Sequence, residues 1–342
     1  MLRILVVGSG LAGLCLSAAL QRLGFPVTLM DAEATGTASG VAGGVLHPLV
    51  FKRLTLSHQA GQLFPAAVSF YSSLSKDLGS AFWEEKPLLR LLASDEERNL
   101  WRHKQNDPDL VDYCALESLP KLLDGFVAAP AGVGRVHAAG RLHIPALRKS
   151  WLEWLRLHNS YRMETFQASG LVVQPAGVSY KGEDFRLIVF CDGHQAIHNP
   201  WLPRLDFRNC KGEILTVAVE GLPEEYILNK DLYIIPLGNG IFKAGSTYQW
   251  QFRDGSPTPA GLQEIKDKLE QVLLTPFTIL KHEAGIRPAI ANRRVVAGFV
   301  RDSEIQSQFS PVAMLNGLGA RGAMTAPFFA LQLAGSICQA LS

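Results

Sequence analysis

A glycine-rich motif near the start of the chain is the feature that most restricts its fold. Residues 2–7 form a short apolar run rich in β-branched side chains, and residues 11–23 have the small-residue pattern of a helix. Between the two lies Gly-Ser-Gly-Leu-Ala-Gly at residues 8–13, a G-x-G-x-x-G motif in a strand–turn–helix context. Residues 26–30 predict a second strand that stops at Asp31. The start of the chain therefore predicts a compact βαβ unit of the dinucleotide-binding type.

Each glycine of this motif has a distinct physical role. Gly8 permits the tight turn, Gly10 lets the backbone approach a pyrophosphate, and Gly13 allows the helix to pack closely on the strand. The helix N-terminus adds partial positive charge, and Asp31, 18 residues after Gly13, can accept hydrogen bonds from the ribose hydroxyls of an adenosine. The alternative is a glycine-rich helix turn followed by a surface aspartate. The motif does not distinguish NAD from FAD, because both contain the ADP half that it binds.

Two further glycine-rich segments favour the longer, flavin-containing cofactor. Thr37–Gly44 follows the second predicted strand and offers hydroxyls and backbone amides where a longer cofactor would continue. Asn316–Gly322 precedes an apolar helix, whose positive N-terminus could face the pyrimidine ring of a reduced, anionic flavin. A flexible surface loop and a simple turn are the respective alternatives. We therefore predict FAD as the cofactor.

Composition and charge exclude several other classes of function. A chain that is 47% hydrophobic and 19% charged is not a disordered protein. The net charge of +2 gives no overall attraction for a phosphate backbone, although Lys52-Arg53 and Arg293-Arg294 could contribute to a basic patch. We therefore expect no nucleic-acid partner, without excluding one. The composition leaves the oligomeric state open.

The cysteines and the apolar end of the chain bear on compartment and membrane. The five cysteines are scattered and have no C-x-x-C spacing, which argues against a disulfide framework and a zinc site. His194 and His198 lack the glutamate of a zinc-binding H-E-x-x-H helix, so we predict no metal. Residues 322–341 are apolar, but Pro327 and several polar residues favour a buried helix over a membrane span. We expect a cytoplasmic protein.

The remaining patterns predict an α/β fold of two domains, with a second, mostly antiparallel sheet beside the Rossmann-type one. Apolar runs bounded by turn signals predict strands at 88–92, 186–191, 213–219, 232–235 and 240–244, and apolar periodicity predicts helices at 64–78, 95–103 and 142–157. We predict a discontinuous FAD-binding domain at 1–50, 135–205 and 285–342, and a substrate-binding domain at 51–134 and 206–284.

Five segments resemble the D-amino-acid-oxidase-like flavoproteins, the family that includes glycine oxidase, sarcosine oxidase and D-amino-acid dehydrogenases. In chain order they are the N-terminal motif, Cys191-Asp192-Gly193, Tyr233-Ile234-Ile235-Pro236, Gly285-Ile286-Arg287-Pro288 and Gly317–Gly322. Within the family, residues 38–49, 245–248 and 321–327 are most similar to the oxidase half of the bifunctional bacterial enzyme that modifies the tRNA wobble uridine. We expect no fused methyltransferase half, and a standalone oxidase need not share the tRNA substrate.

The resemblance implies specific site residues. Arg287 matches the position whose guanidinium grips the substrate carboxylate, and Tyr233 matches a tyrosine that contacts the same carboxylate. No cysteine lies in residues 285–294, where some relatives attach flavin, so FAD is expected to be non-covalent. For His47 we expect a hydrogen-bonding or packing role and not that of a base. The motifs and the resemblance together imply the following FAD contacts: Gly8, Gly10, Leu11, Ala12, Gly13, Asp31, Ala32, Thr37, Ser39, Gly40, Gly43, Gly44, Gly193, Gly317, Gly319, Ala320, Arg321 and Gly322.

The expected reaction is hydride transfer to flavin N5 from the carbon that bears the amine of an amino acid or N-substituted glycine. Two alternatives stay open. One is a tRNA-modifying oxidase acting on a carboxymethylaminomethyl wobble uridine, which a basic surface patch would indicate. The other is a non-catalytic flavin-binding protein, which an Arg287 side chain pointing away from the cofactor would indicate.

Overall fold

The computed structural model describes residues 3–34, 36–300 and 310–342. Seven α-helices lie in these ranges: α1 (Leu11–Arg22), α2 (Ala38–Val41), α3 (Ala60–Asp77), α4 (Asp95–Lys104), α5 (Ile144–Leu157), α6 (Pro259–Glu270) and α7 (Gly322–Leu341). Short 3₁₀ turns occur at Lys121–Leu123, Ala168–Gly170, Gly193–His198 and Gly319–Arg321. Each helix predicted from the sequence is present, with its ends shifted by a few residues.

The described residues form 22 strands. They are β1 (Ile4–Val7), β2 (Val27–Asp31), β3 (Val45–Leu46), β4 (Leu49–Val50), β5 (Thr55–Leu56), β6 (Trp83–Glu85), β7 (Leu88–Leu91), β8 (Cys114–Glu117), β9 (Val133–Val136), β10 (Gly140–Leu142), β11 (Tyr161–Met163), β12 (Leu171–Gln174), β13 (Gly177–Tyr180), β14 (Glu183–Phe185), β15 (Leu187–Phe190), β16 (Cys210–Ala218), β17 (Ile227–Asn229), β18 (Tyr233–Gly238), β19 (Ile241–Gly245), β20 (Thr278–Arg287), β21 (Val296–Phe299) and β22 (Val312–Asn316).

A six-stranded sheet in the described part of the chain forms the Rossmann-type core. Its order is β11-β2-β1-β15-β22-β21, and the first five strands are parallel to one another. All four side chains of β1 are buried, as expected for a parallel strand covered on both faces. Helices α1 and α7 pack together in the core next to this sheet, so both ends of the sequence meet there.

An eight-stranded sheet accounts for the predicted antiparallel part of the described chain. Its order is β20-β16-β19-β18-β17-β7-β9-β8, and every pairing is antiparallel except that of β17 with β7. Smaller sheets join β3-β10-β6, β12-β13-β14 and β4-β5. The α/β fold with parallel and antiparallel sheets agrees with the sequence prediction.

Helix α3 lies in the segment that the sequence assigned to substrate binding, yet it packs with the FAD-side core. Leu63, Ala67 and Phe70 of α3 belong to the same apolar cluster as residues of α1 and α7. The division of the chain into domain segments stays a prediction.

One helical stretch among the described residues, Gly319–Leu341, is long and apolar enough by length and composition to cross a membrane. It packs against α1 and α3, and Ala326, Ala330 and Ala334 are fully buried. These contacts are those of a core helix.

Candidate active site

A cavity of about 1410 Å³ lies where the two large sheets meet. One wall is formed by the carboxyl ends of β1, β2, β15 and β22 and by the start of α7; the opposite wall is formed by β16, β18 and β20. The carboxyl ends of parallel strands are where open α/β sheets bind ligands. The volume exceeds the ~300–1,000 Å³ of an ordinary small-molecule pocket, so the cavity has room for a dinucleotide and a second, smaller ligand.

The glycine-rich loop fits between β1 and α1 because two of its residues have no side chain. Gly8 has φ +101°, and a Cβ there would lie 2.4 Å from the carbonyl oxygen of Cys191. A Cβ on Gly13 would lie 1.8 Å from the carbonyl oxygen of Gly8. Neither α1 nor α7 has an acidic side chain in its first turn, so neither positive helix end is neutralised from within its own helix. At α1 the amide of Leu11 donates to Ser39 Oγ at 3.0 Å.

Asp31 connects the end of β2 to this loop. Its Oδ2 accepts a hydrogen bond from the backbone amide of Ser9 at 2.6 Å, and its Oδ1 accepts one from Glu33 at 2.5 Å. Arg148 of α5 donates to Ser9 Oγ at 2.7 Å and approaches Asp31 at 3.3 Å. Arg148 gave no signal in the sequence, because the pattern of α5 revealed only the apolar face of that helix.

Arg287 lies at the end of β20, opposite Cys210 of β16. Its side chain crosses β16 above Gly212, where a Cβ would lie only 1.9 Å from Nη2. Nη2 donates to Ser246 Oγ at 2.5 Å, and both terminal nitrogens reach the Thr247 carbonyl at 3.2 Å. The guanidinium lies 4.5 Å from the ring centroid of Tyr248. No carboxylate among the described residues pairs with Arg287. The Nε of Arg287 donates to no acceptor in the described part of the chain.

Tyr233 begins β18 and lies next to Gly245 of β19. Its hydroxyl is 2.7 Å from Nε2 of His47, and the His47 ring stacks on Phe51 at 4.8 Å. Arg321, at the start of α7, donates to the backbone carbonyls of His47 and Leu49. Burial, together with the positive charge of Arg321, lowers the pKa of His47 to about 3. Burial also raises the pKa of Tyr233, so both side chains are neutral near pH 7.

A buried ion cluster supports the wall beside Arg287. Lys211 and Glu213 are almost completely buried, and Lys211 Nζ lies 3.0 Å from Glu213 Oε1. Glu213 also accepts hydrogen bonds from the amide and hydroxyl of Thr258 and lies 2.8 Å from His282. Lys211 Nζ donates to the carbonyl of Ser256 at 2.9 Å. The cluster therefore fixes the segment that follows Tyr248.

Most of the predicted site residues face one cavity. Those that line it are Gly8, Gly10, Leu11, Ala12, Asp31, Ala32, Thr37, Ser39, Gly43, Gly44, Gly193, Tyr233, Arg287, Gly319, Ala320, Arg321 and Gly322. Gly13, Gly40 and Gly317 lie behind this lining: Gly13 packs against Gly8, and Gly40 donates its amide to the Thr37 side chain. His47, Ser246 and Tyr248 also line the cavity. The sequence predicted a hydrogen-bonding or packing role for His47, whereas Ser246 and Tyr248 gave no separate signal beyond the segment that contains them.

Comparison with known proteins identifies the family. The DAO family model, described as FAD dependent oxidoreductase, matches residues 3–335. The chain belongs to this family. It is an FAD-dependent oxidoreductase, as the sequence analysis predicted. The glycine-rich loop, the two helix N-termini at the cavity and the size of the cavity are consistent with FAD as a ligand.

The relatives found by sequence are longer proteins. The chain is 26% identical to the tRNA 5-methylaminomethyl-2-thiouridine biosynthesis bifunctional protein MnmC of Marinobacter nauticus, in a match covering 98% of this chain and 55% of that protein. It is 22% identical to the protein of the same name from Idiomarina loihiensis, covering 96% of this chain and 54% of the relative. The chain thus spans about half the length of these relatives.

Solved structures confirm the fold. Glycine oxidase from Geobacillus kaustophilus has a TM-score of 0.78 at 18% identity, covering 99% of this chain and 95% of its own. Iminodiacetate oxidase from Chelativorans sp. BNC1 has a TM-score of 0.77 at 19% identity, covering 98% of this chain and 95% of its own.

Proposed function

We propose that this DAO-family member oxidises the C–N bond of a carboxylate-bearing amine, an amino acid or an N-substituted glycine. The supporting observation is Arg287, a guanidinium that lines the cavity and has no carboxylate partner among the described residues. The planar fork of a guanidinium matches the geometry of a carboxylate, and the Nε donor of Arg287 is unused by the described residues. Glycine oxidase and iminodiacetate oxidase, whose names state substrates of this chemistry, share the fold.

In the proposed reaction a hydride leaves the carbon that bears the amine, FAD supplies the acceptor, and water hydrolyses the resulting imine to a carbonyl. Arg287 holds the carboxylate, and Tyr233 gives it a second polar contact from the neighbouring part of the sheet. Fixing the carboxylate at these two points limits the orientations of the adjacent C–H bond, which is the main contribution a protein makes to such a reaction. The positive end of α7 favours negative charge on the cofactor side of the cavity.

We further propose that FAD is held non-covalently. Among the described residues that line the cavity, Cys191 is the only cysteine. Burial raises the pKa of its thiol well above the usual value, so the thiolate that would attach to a flavin is not available. Acid precipitation tests this proposal: all yellow colour should stay in the supernatant. Colour that remains in the pellet would contradict it.

A second candidate substrate is a carboxymethylaminomethyl group on a tRNA wobble uridine. The similarity to bifunctional MnmC proteins over 98% of the chain favours it. This group is itself an N-substituted glycine, so the same Arg287 clamp would serve both candidates.

Anaerobic mixing with a panel of substrates separates these candidates without assuming an oxidant. The panel contains N-substituted glycines, D-amino acids and tRNA carrying the modified uridine, and loss of flavin absorbance is the readout. Reduction by small N-substituted glycines supports the first proposal. Reduction by the tRNA alone supports the second. Absence of reduction by every member would contradict both.

A further inference from the structure

The contact between His47 and Tyr233 also restricts where the protons of these two side chains can lie. His47 is 9% exposed, its Nε2 lies 2.7 Å from the Tyr233 hydroxyl, and its Nδ1 is buried with no described hydrogen-bond partner. Stacking on Phe51 and the two hydrogen bonds from Arg321 to the backbone of residues 47 and 49 hold the ring in place.

Two arrangements of protons are compatible with this contact. If the Tyr233 hydroxyl donates, the single ring proton of neutral His47 lies on Nδ1, where it is a buried donor without an acceptor. If Nε2–H donates instead, Nδ1 carries only a lone pair and the Tyr233 proton is released for another partner. Buried donors without partners are rarer than under-used acceptors. The second arrangement is therefore favoured.

We propose that His47 is a positioning residue whose Nε2–H donates to the Tyr233 oxygen and so aims the Tyr233 O–H at a ligand acceptor in the cavity. This inference rests on the proposed function, in which that acceptor is the substrate carboxylate. His47 does not touch the carboxylate; it acts by setting the direction of the Tyr233 hydroxyl.

The arrangement of the sheet supports a Tyr233 hydroxyl directed at the same carboxylate as Arg287. Tyr233 pairs with Gly245, and the next residue, Ser246, accepts a hydrogen bond from Arg287. β16 and β19 lie between β20 and β18, but the Arg287 side chain crosses β16 to reach Ser246. The guanidinium therefore lies at the end of β19, one strand spacing, about 4.8 Å, from the strand that carries Tyr233. Two donors in this arrangement can share one carboxylate.

Equilibrium binding to the FAD-loaded protein tests the proposal. The probe is methoxyacetate, which has the shape of N-methylglycine without its amine, and the neutral probe is methoxyacetamide; the flavin spectrum is the readout. Tyr233→Phe and His47→Phe should each weaken methoxyacetate binding about tenfold, and the double variant should lose no more than either alone. His47→Gln, whose amide can still donate, should restore most of the affinity. His158→Phe, a change at the exposed end of α5, is the control.

The state of the ring provides a readout independent of activity and binding. In ¹⁵N-histidine-labelled protein, the resonances missing from His47→Gln belong to His47, and they should show the proton on Nε2. A proton on Nδ1, or losses that add in the double variant, would overturn the proposal. If Arg287→Ala leaves methoxyacetate binding unchanged, the carboxylate clamp itself fails. If Arg287→Ala abolishes binding while His47→Phe has no effect, only the role of His47 fails.

Discussion

Replacing Arg287 with alanine should impair the turnover of a carboxylate-bearing amine far more than it impairs FAD binding or folding. In the structure the guanidinium contacts only neutral groups of the described chain: the Ser246 hydroxyl, the Thr247 carbonyl, the Cys210 thiol and the face of Tyr248. Its removal therefore leaves no carboxylate of these residues without a partner. The loss should appear when the substrate binds.

The size of the effect follows from the donors that a carboxylate would use. Hydrogen bonds to charged groups contribute ~1.5–3 kcal/mol each. Because Arg287 is only partly buried, a two-bond clamp is worth about 2–4 kcal/mol, which corresponds to roughly a 30- to 1,000-fold loss in kcat/KM. Arg287→Lys should recover only part of this loss, since an ammonium group supplies the charge without the planar fork.

Stopped-flow measurement of flavin reduction under anaerobic conditions gives the rate constant and the half-saturating concentration directly. The control is Arg208→Ala, which removes an exposed arginine whose guanidinium pairs with Asp206. Wild-type reduction rate and half-saturation in Arg287→Ala would refute the clamp, and an uncarboxylated amine or another anchoring residue would then be the better hypothesis.

Three further changes probe the surroundings of the site. Gly212→Ala places a Cβ 1.9 Å from Nη2 of Arg287 and should displace the guanidinium, so that steady-state kcat/KM falls about 100-fold with FAD still bound; unchanged kinetics would show that the guanidinium works from another position. Asp31→Ala should weaken FAD by at least one charge-assisted hydrogen bond, ~1.5–3 kcal/mol, in a titration of apoprotein, and an unaltered affinity would remove Asp31 from the cofactor site. Glu213→Gln leaves Lys211 buried without its counter-charge and should cost about 3–5 kcal/mol in denaturant unfolding at pH 7. Burial alone would raise the pKa of Glu213, but hydrogen bonds from Thr258 and the Lys211 charge hold it below its ordinary 4.5, so its stabilisation is present above pH 4.5 and is lost as the pH falls through the folded-state value. The wild type should therefore lose stability on acidification in this range more steeply than Glu213→Gln, and equal slopes would contradict the lowered pKa.

The parts of the site that depend on local chain geometry could be predicted from the sequence. Gly8 and Gly13 are required by a turn and a close contact within one βαβ unit, so their spacing alone predicts their role. Arg287 was different, because an isolated arginine gives no signal and only the resemblance of its surrounding motif singled it out.

The parts that depend on pairing between distant strands could not be predicted. Arg287 pairs across the strands with Cys210, and the side chain of Arg287 has space because the residue two positions after Cys210 is Gly212. This register appears only when β16 and β20 pair. The contact between His47 and Tyr233 likewise joins segments far apart in the sequence. The sequence showed the apolar faces of α3 and of the helix at residues 322–341, but not that these two helices pack on each other, so α3 was grouped with the substrate segment.

The packing of α1 on α7 has a consequence for the order of events during synthesis. The motif at residues 8–13 leaves the ribosome before α7, but its helix is buried in the same cluster as Ala330, Leu333 and Ile337 of α7. At ~5–20 residues per second, the last of these follows Asp31 by about 300 residues, or roughly 15–60 s. During that interval the part of α1 that packs on α7 has no native partner, although β1, β2 and α5 already cover other parts of the helix. Chaperones that shield nascent chains would therefore be expected to act on the first βαβ unit, and the cofactor to join only after the C-terminal helix has been made.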